Sequence, residues 1–354
     1  MALSRRKFIA FAGVTAVAAA VIVISALFGA DLYLHKRAER SAGLNVWGYR
    51  GPLVGKKRPG EVRIAVLGGS TAFGYGLPWF EAAPAVLERK LNERRGGRPP
   101  IAVVNLGFNN EGAYSYRFTL HDFAFLDYDV ACLYDGYNDM RGDVAPNTAL
   151  YRHDSAVFRL TGYFPILPLV LEEKAMQIRS GGNLNAAYAA RRGEAPGKTV
   201  FVPTLAERAS AATLDTAANI TQALGRQLGR VSVEPAPRLP DTADGGCESP
   251  WKHYCESMYG AVKYARDRGK QVYVVLQPRM IEPVTEHHRS QQAALIGMLQ
   301  RRFGGDSSVH VIDLSSAVDL HDRDYAFDNL HLSTDGTEIA TSVLAERMAP
   351  LLSH

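Results

Sequence analysis

Val62-Arg63-Ile64-Ala65-Val66-Leu67-Gly68-Gly69-Ser70-Thr71 decides how this chain reads. The stretch from Val62 to Leu67 is an apolar, β-branched run of strand length, and two glycines end it abruptly. Glycine admits backbone conformations that other residues resist, so the chain turns sharply and presents the next side chain at the strand's carboxyl end. In an open α/β sheet, ligands bind beyond that end. Ser70 is therefore a candidate nucleophile, provided that a histidine elsewhere takes its proton.

Working outward, strand and helix patterns alternate. A helix is expected over 83–95, a second strand over 101–106, a helix over 116–125 and a third strand over 130–134. Further strands are expected over 271–276 and 309–314, with a helix over 285–303 between them and a last helix over 334–352. Such alternation implies a parallel sheet with helices on both faces. About 135 residues separate the third and fourth strands, too many for a bare loop in a compact domain. Within them, 186–195 is Ala/Arg-rich, 234–240 is Pro-rich and Asp244-Gly245-Gly246 reads as a turn, while 205–228 and 258–268 read as helices. The expectation is a helical insertion at about 140–270 inside one domain spanning 61–354.

A base is available near the carboxyl terminus. Asp328-Asn329-Leu330-His331-Leu332-Ser333-Thr334-Asp335-Gly336 lies between the last strand and the last helix, at the same sheet edge as Ser70. A histidine there can face Ser70, and an aspartate three residues earlier can hold its other ring nitrogen. Alone, the same residues read as a turn leading into a helix, capped by Ser333 or Thr334 with Asp335 in the first turn. After the third strand comes Gly136-Tyr137-Asn138-Asp139, where the Asn138 amide can donate to an oxyanion or simply serve a turn. After the second strand, Asn105-Leu106-Gly107 and Glu111-Gly112-Ala113-Tyr114-Ser115 offer glycine N–H groups to the same crevice.

These four elements, in this order, resemble the blocks of the SGNH (GDSL-type) hydrolases, a large family of esterases, lipases and carbohydrate deacetylases. Gly68-Gly69-Ser70-Thr71 is similar to the first block, with Gly69 where the family name has aspartate. Gly112 is similar to the second, with Gly107 as its competitor, Gly136-Tyr137-Asn138-Asp139 to the third, and Asp328-Asn329-Leu330-His331 to the last. The resemblance covers about 61–139 and 271–350. It implies a three-layer α/β/α, flavodoxin-like SGNH-hydrolase fold of about five parallel strands; the helical insertion and an N-terminal transmembrane helix lie outside the resemblance. It also implies hydrolysis of an ester through an acyl-enzyme, with Ser70 as nucleophile, His331 as base and Asp328 as orienting carboxylate. The oxyanion hole would be the N–H groups of Ser70 and Gly112 with the Asn138 amide. The substrate expected is an ester or an O-acylated carbohydrate, and neither a cofactor nor a metal is implied. Two rival readings are an O-acyltransferase acting on a cell-envelope glycan and an inactive, membrane-tethered glycan-binding module. The run Phe164-Pro165-Ile166-Leu167-Pro168-Leu169-Val170-Leu171 reads either as an acyl-chain pocket or as packing.

The remaining features place the chain in the cell. Residues 8–30 carry no charge over 23 positions, and a helix of about 20 apolar residues crosses a bilayer. Arg5, Arg6 and Lys7 precede this run, and Asp31, His35, Lys36, Arg37 and Arg40 follow it. Ser4-Arg5-Arg6-Lys7-Phe8-Ile9 is similar to a twin-arginine export signal. A cleaved signal has a shorter apolar core, so 1–30 is expected as an uncleaved anchor and 31–60 as a tether. Cys247 and Cys255 read either as a bridge, contributing about 2–3 kcal/mol in the chain-entropy model, or as two free thiols. A bridge would place the domain outside the cytoplasm, in a bacterial periplasm or at the cell surface. Cys132 lies in an apolar run and reads as an inert core thiol.

Other function classes fit poorly. The net charge of +4 is modest and the basic residues are spread, which argues against nucleic acid as a partner. The glycines at 69 and 74 have P-loop spacing, but Tyr75-Gly76 stands where Lys-Ser/Thr is required. His287 and His288 lie in a polar helical stretch and read as solvated surface.

Overall fold

The computed structural model describes residues 5–41, 43–95, 100–140, 146–147, 152–153, 155–183, 201–228 and 246–352. The Ala/Arg-rich 186–195, the Pro-rich 234–240 and Asp244-Gly245 lie outside the described residues. In chain order the elements are α1 (Arg5–Ser41), β1 (Val62–Gly68), α2 (Ser70–Phe73), α3 (Ala83–Arg95), β2 (Ile101–Asn105) and α4 (Ala113–Asp122). There follow β3 (Val130–Asp135), α5 (Ala156–Thr161), α6 (Leu167–Arg179), α7 (Leu205–Leu228) and α8 (Lys252–Arg266). The chain ends with β4 (Gln271–Leu276), α9 (Thr285–Phe303), β5 (Val309–Asp313) and α10 (Thr334–Met348). It forms two compact units, Met1–Ala38 with Ser155–Val233, and Glu39–Asp154 with Glu234–His354.

The second unit holds a parallel sheet in the order β2-β1-β3-β4-β5. This is the doubly wound order expected, and the winding reverses between β1 and β3, where ligands of such sheets bind. Register brings Gly68 opposite Tyr134, so the segments following β1 and β3 emerge side by side.

Side chains alternate between the two faces of a strand. Ile64, Val66, Val130, Cys132, Tyr273, Val275 and Ile312 share a core with Leu87 and Leu91 of α3 and Leu344, Ala345 and Met348 of α10. The intervening residues Ala65, Leu67, Ala131, Leu133, Val272 and Val274 are buried too, on the side where α4 and α8 pack. Burial on both faces explains why the strands read as continuous apolar runs.

Three segments differ from the sequence expectation. The helix expected from 116 starts at Ala113, directly after Gly112, and ends at Asp122 before a 3₁₀ turn. The helix expected from 258 starts at Lys252 because Tyr254, Cys255, Met258, Ala261 and Val262 continue its buried face upstream. Residues 31–60 are helical as far as Ser41, since neither glycine nor proline intervenes before Gly43. Beyond it, the Arg50 N–H donates to the carbonyl of Asn105 at the edge of the sheet, and Tyr49 is buried.

Cys255, in the first turn of α8, is bonded to Cys247, with Cα atoms 5.8 Å apart. Cys132 is a free thiol in the core, and burial pushes it up to about 12.

The first unit is helical. Helix α1 is long and apolar enough to cross a bilayer by length and composition, a test that a signal sequence also passes. Its later part is not bare. Asp31 and His35 are buried, and Asp31 accepts the N–H groups of Ile166 at 2.9 Å and of Leu167, together with the Tyr163 hydroxyl. His35 Nε2 donates to the Phe164 carbonyl at 2.6 Å. The apolar run beginning at Phe164 thus leads into α6, with Phe164 and Ile166 buried before its first turn.

Candidate active site

Ser70 opens α2, a single helical turn beginning directly after β1 and Gly69. Its backbone N–H is one of the groups a helix leaves without an intrahelical partner. The turn is held from behind by Arg50, buried, which donates to the carbonyls of Phe73, Gly74 (2.7 Å) and Leu77. Cationic groups suit the carbonyl end of a helical turn. Burial lowers this guanidinium to about 10.

His331 reaches Ser70 from a tight loop between β5 and α10. The N–H of Phe327 donates to the carbonyl of His331 at 3.1 Å, and that of Ser333 to the carbonyl of Tyr325 at 2.8 Å. Inside the loop, Asp328 Oδ1 accepts the N–H groups of Leu330 at 3.1 Å and His331 at 2.7 Å. Aspartate favours such self-bonded turns. Its other oxygen, Oδ2, lies 2.6 Å from His331 Nδ1. With Nδ1–H given to Asp328, Nε2 is left to accept the Ser70 hydroxyl, 2.8 Å away. Burial raises the Asp328 carboxyl, but the N–H and ring of His331 and the N–H of Leu330 outweigh it and hold the group below its ordinary value. Ser333 also caps α10, its Oγ accepting from Gly336 N at 3.1 Å, so helix start and site coexist in one loop.

The other expected residues gather at the point where the winding reverses. Asn138 lies in a 3₁₀ turn just after β3, and its Nδ2 donates to the Glu111 carbonyl at 2.7 Å. A methyl group on Gly69 would fall on Asn138 Nδ2 and come to 3.0 Å from the Glu111 oxygen, so glycine before the serine leaves the Asn138 amide its place. Gly112, the next residue after Glu111, caps α4. A methyl there would meet the Asp139 carboxylate oxygens at 2.5 and 2.7 Å. Ser70, Gly112 and Asn138 therefore converge. Gly107 does not offer the same donor, because its N–H goes to Asn105 Oδ1 at 3.0 Å.

Several residues at the site escaped the sequence reading. Gln277, just beyond β4, donates to Thr71 Oγ1 at 2.7 Å and accepts the Tyr137 N–H at 3.3 Å, linking the segments after β1 and β3. A polar residue ending an apolar strand was its one signal. Arg152 donates to Glu111 Oε2 at 2.9 Å, both side chains being buried. Tyr75 and Phe327 flank His331, with ring centroids 4.9 and 5.7 Å from its own. Beneath the site, Tyr116 donates to Asp135, and Asp139 Oδ2 accepts the Ala113 N–H at 2.9 Å. Burial pushes Asp135 up to about 6, and burial with the charge of Asp135 holds Asp139 well above the carboxylate range.

One expectation is corrected. His288 is not on the surface but fully buried; its Nδ1 accepts the Met280 N–H at 3.1 Å, and the edge of Tyr137 packs against it. Helix α9 turns His288, Gln291, Gln292 and Leu295 inward together, so polar residues occupy its buried face. His287 is exposed, as expected, and lies against Trp251. Among the described residues, no group of three or more His, Cys, Asp or Glu could hold a metal ion.

No protein-family model matches the chain, and no curated protein matches it. Solved structures to which it is similar include one from Desulfitobacterium hafniense DCB-2 assigned to the G-D-S-L lipolytic family. That match has 12% identity, covers 80% of this chain and 98% of the other, and has a TM-score of 0.40. A family 3 carbohydrate esterase from Clostridium thermocellum matches with 14% identity, 82% and 97% coverage, and a TM-score of 0.40. The lipase Lip_vut3 from a goat rumen metagenome matches with 14% identity, 81% and 97% coverage, and a TM-score of 0.37.

Proposed function

We propose that this chain is a serine ester hydrolase working through an acyl-enzyme. The observation that carries the reading is the continuous relay from Asp328 Oδ2 to His331 Nδ1 (2.6 Å) and from His331 Nε2 to Ser70 Oγ (2.8 Å). In this mechanism Ser70 attacks the ester carbonyl as His331 takes its proton. His331 then gives that proton to the leaving alcohol, and water enters by the reverse route. Asp328 fixes the tautomer and stabilises the imidazolium. The oxyanion forms against the N–H groups of Ser70 and Gly112 and the amide proton of Asn138 not given to Glu111.

Water is the acceptor favoured, because the Asp328 side chain is 41% exposed and solvent reaches the site from that side, while His331 is 12% exposed. A glycan hydroxyl as acceptor would make the chain an O-acyltransferase. The substrate class is an ester or an O-acylated carbohydrate, as the four blocks imply.

Helix α1 serves in this reading as an uncleaved membrane anchor, with the sheet-containing unit outside the cytoplasm. The Cys247–Cys255 bond supports that placement, since disulfides persist in oxidising compartments.

The test is hydrolysis of p-nitrophenyl acetate by Ser70→Ala. The expected result is loss of turnover with an unchanged thermal transition. Retained turnover would overturn the assignment.

A further inference from the structure

The apolar helix carries a polar station at its far end, and this station determines what lies beside the membrane. From Phe8 to Phe28 the large apolar side chains of α1 other than Leu27 are exposed, among them Phe11 at 69% and Ile22 at 69%. Burial on this helix begins only at its end, with Asp31 and His35. About 20 apolar residues span a bilayer, so the run that starts at Phe8 is used up a few residues before Asp31.

A carboxylate is costly in hydrocarbon, and main-chain N–H groups facing lipid need an internal partner. Here each solves the other's problem. Asp31 takes the N–H groups of Ile166 and Leu167, which open α6, and the hydroxyl of Tyr163. His35 takes the Phe164 carbonyl. Residues 163–167 are thus fixed at the depth where α1 leaves its apolar stretch.

The side chains around the station have the character of a bilayer boundary. Phe28 and Tyr163 are in ring contact at 5.2 Å, and Tyr33 is exposed, giving the aromatic band found at headgroup level. From Phe164 to Leu171 the chain carries no charge, and Pro165, Leu167, Pro168, Leu169, Val170 and Leu171 remain partly open. Glu172, Glu173 and Lys174 then mark the return to water.

We propose that α1 leaves the bilayer at Asp31, and that 163–171, clasped to it, lies in the headgroup layer of the same membrane. The partner of this surface is therefore a phospholipid interface. The proposal rests on the reading of α1 as a membrane span, and the experiment separates the two.

The full chain is reconstituted into vesicles of phosphatidylcholine brominated either near the headgroup or near the chain end. Tryptophan is introduced by Ile24→Trp or Leu169→Trp, and emission is read as the difference from the parent chain. Ile24→Trp is expected to lose emission with deep bromine, and Leu169→Trp with shallow bromine. Adding Asp31→Ala to Leu169→Trp should abolish the shallow quenching while leaving the Ile24 signal unaltered. Quenching of Ile24→Trp without Leu169→Trp would overturn the proposal and leave the span standing. Quenching of neither would overturn both.

Discussion

The Glu111 carbonyl accepts the Asn138 side-chain amide at 2.7 Å, which joins the segment after β2 to the segment after β3. One amide proton is used in that bond, and the second remains to meet an oxyanion. Asn138→Ala is expected to lower kcat about 100- to 1,000-fold, the usual cost of one oxyanion donor. KM and the thermal transition should change little. Steady-state kinetics with p-nitrophenyl acetate checks this, and a loss confined to KM would remove Asn138 from the oxyanion hole.

Gly69→Ala tests the same arrangement from the other side. Its methyl would fall on the Asn138 amide, so that side chain must leave the Glu111 carbonyl. The expected outcome is a kcat loss comparable to that of Asn138→Ala. Combining the two changes should add little further, because both disturb one donor. A double-mutant cycle on kcat decides the point, and additive losses would contradict it.

The Glu111–Arg152 pair is buried on both sides, and Phe108 and Phe123 lie 5.2 and 5.1 Å from the guanidinium. Removing one partner of a buried pair strands the other charge. Arg152→Met is therefore expected to destabilise the fold by about 3–5 kcal/mol. Adding Glu111→Gln should restore part of that loss. Urea unfolding of both variants provides the check.

His288 gives the stability a dependence on acid. Burial, with the charge of Arg279, lowers it from 6.5 to about 4 in the folded chain. Above pH 6.5 the ring is neutral in both states and contributes no slope. As pH falls from 6.5 towards 4, the unfolded chain takes the proton first and stability is lost, by at most about 3 kcal/mol. His288→Gln should flatten this part of the profile relative to the parent chain. Chemical denaturation at pH 7, 5.5 and 4.5 measures the difference.

Legibility in the sequence followed the range of the interactions. The strand run ending at Gly68-Gly69-Ser70 and the loop Asp328–His331 are local patterns, and both function candidates and fold class were readable from them. The parallel sheet with helices on both faces followed from alternation, and its flavodoxin-like, doubly wound arrangement from the resemblance. Gln277 is hydrogen-bonded to Thr71 across 206 positions and Arg152 to Glu111 across 41; the one local mark of Gln277 is its place at the end of an apolar strand, and Arg152 has none. His288 misled because its neighbours His287, Arg289 and Ser290 are polar, although helical spacing aligns it with Leu295. Asp31 and His35 read as charges flanking an apolar run; their partners in the segment starting at Tyr163 are more than 120 positions away.

The central claim is that Ser70 is a nucleophile activated by His331, and covalent capture tests it most directly. The full-length protein is treated with a fluorophosphonate, and the modified peptide is located by mass spectrometry. The account predicts a single adduct on Ser70, formed far more slowly in His331→Ala. An adduct on another residue, or undiminished turnover by a chain fully modified at Ser70, would contradict it.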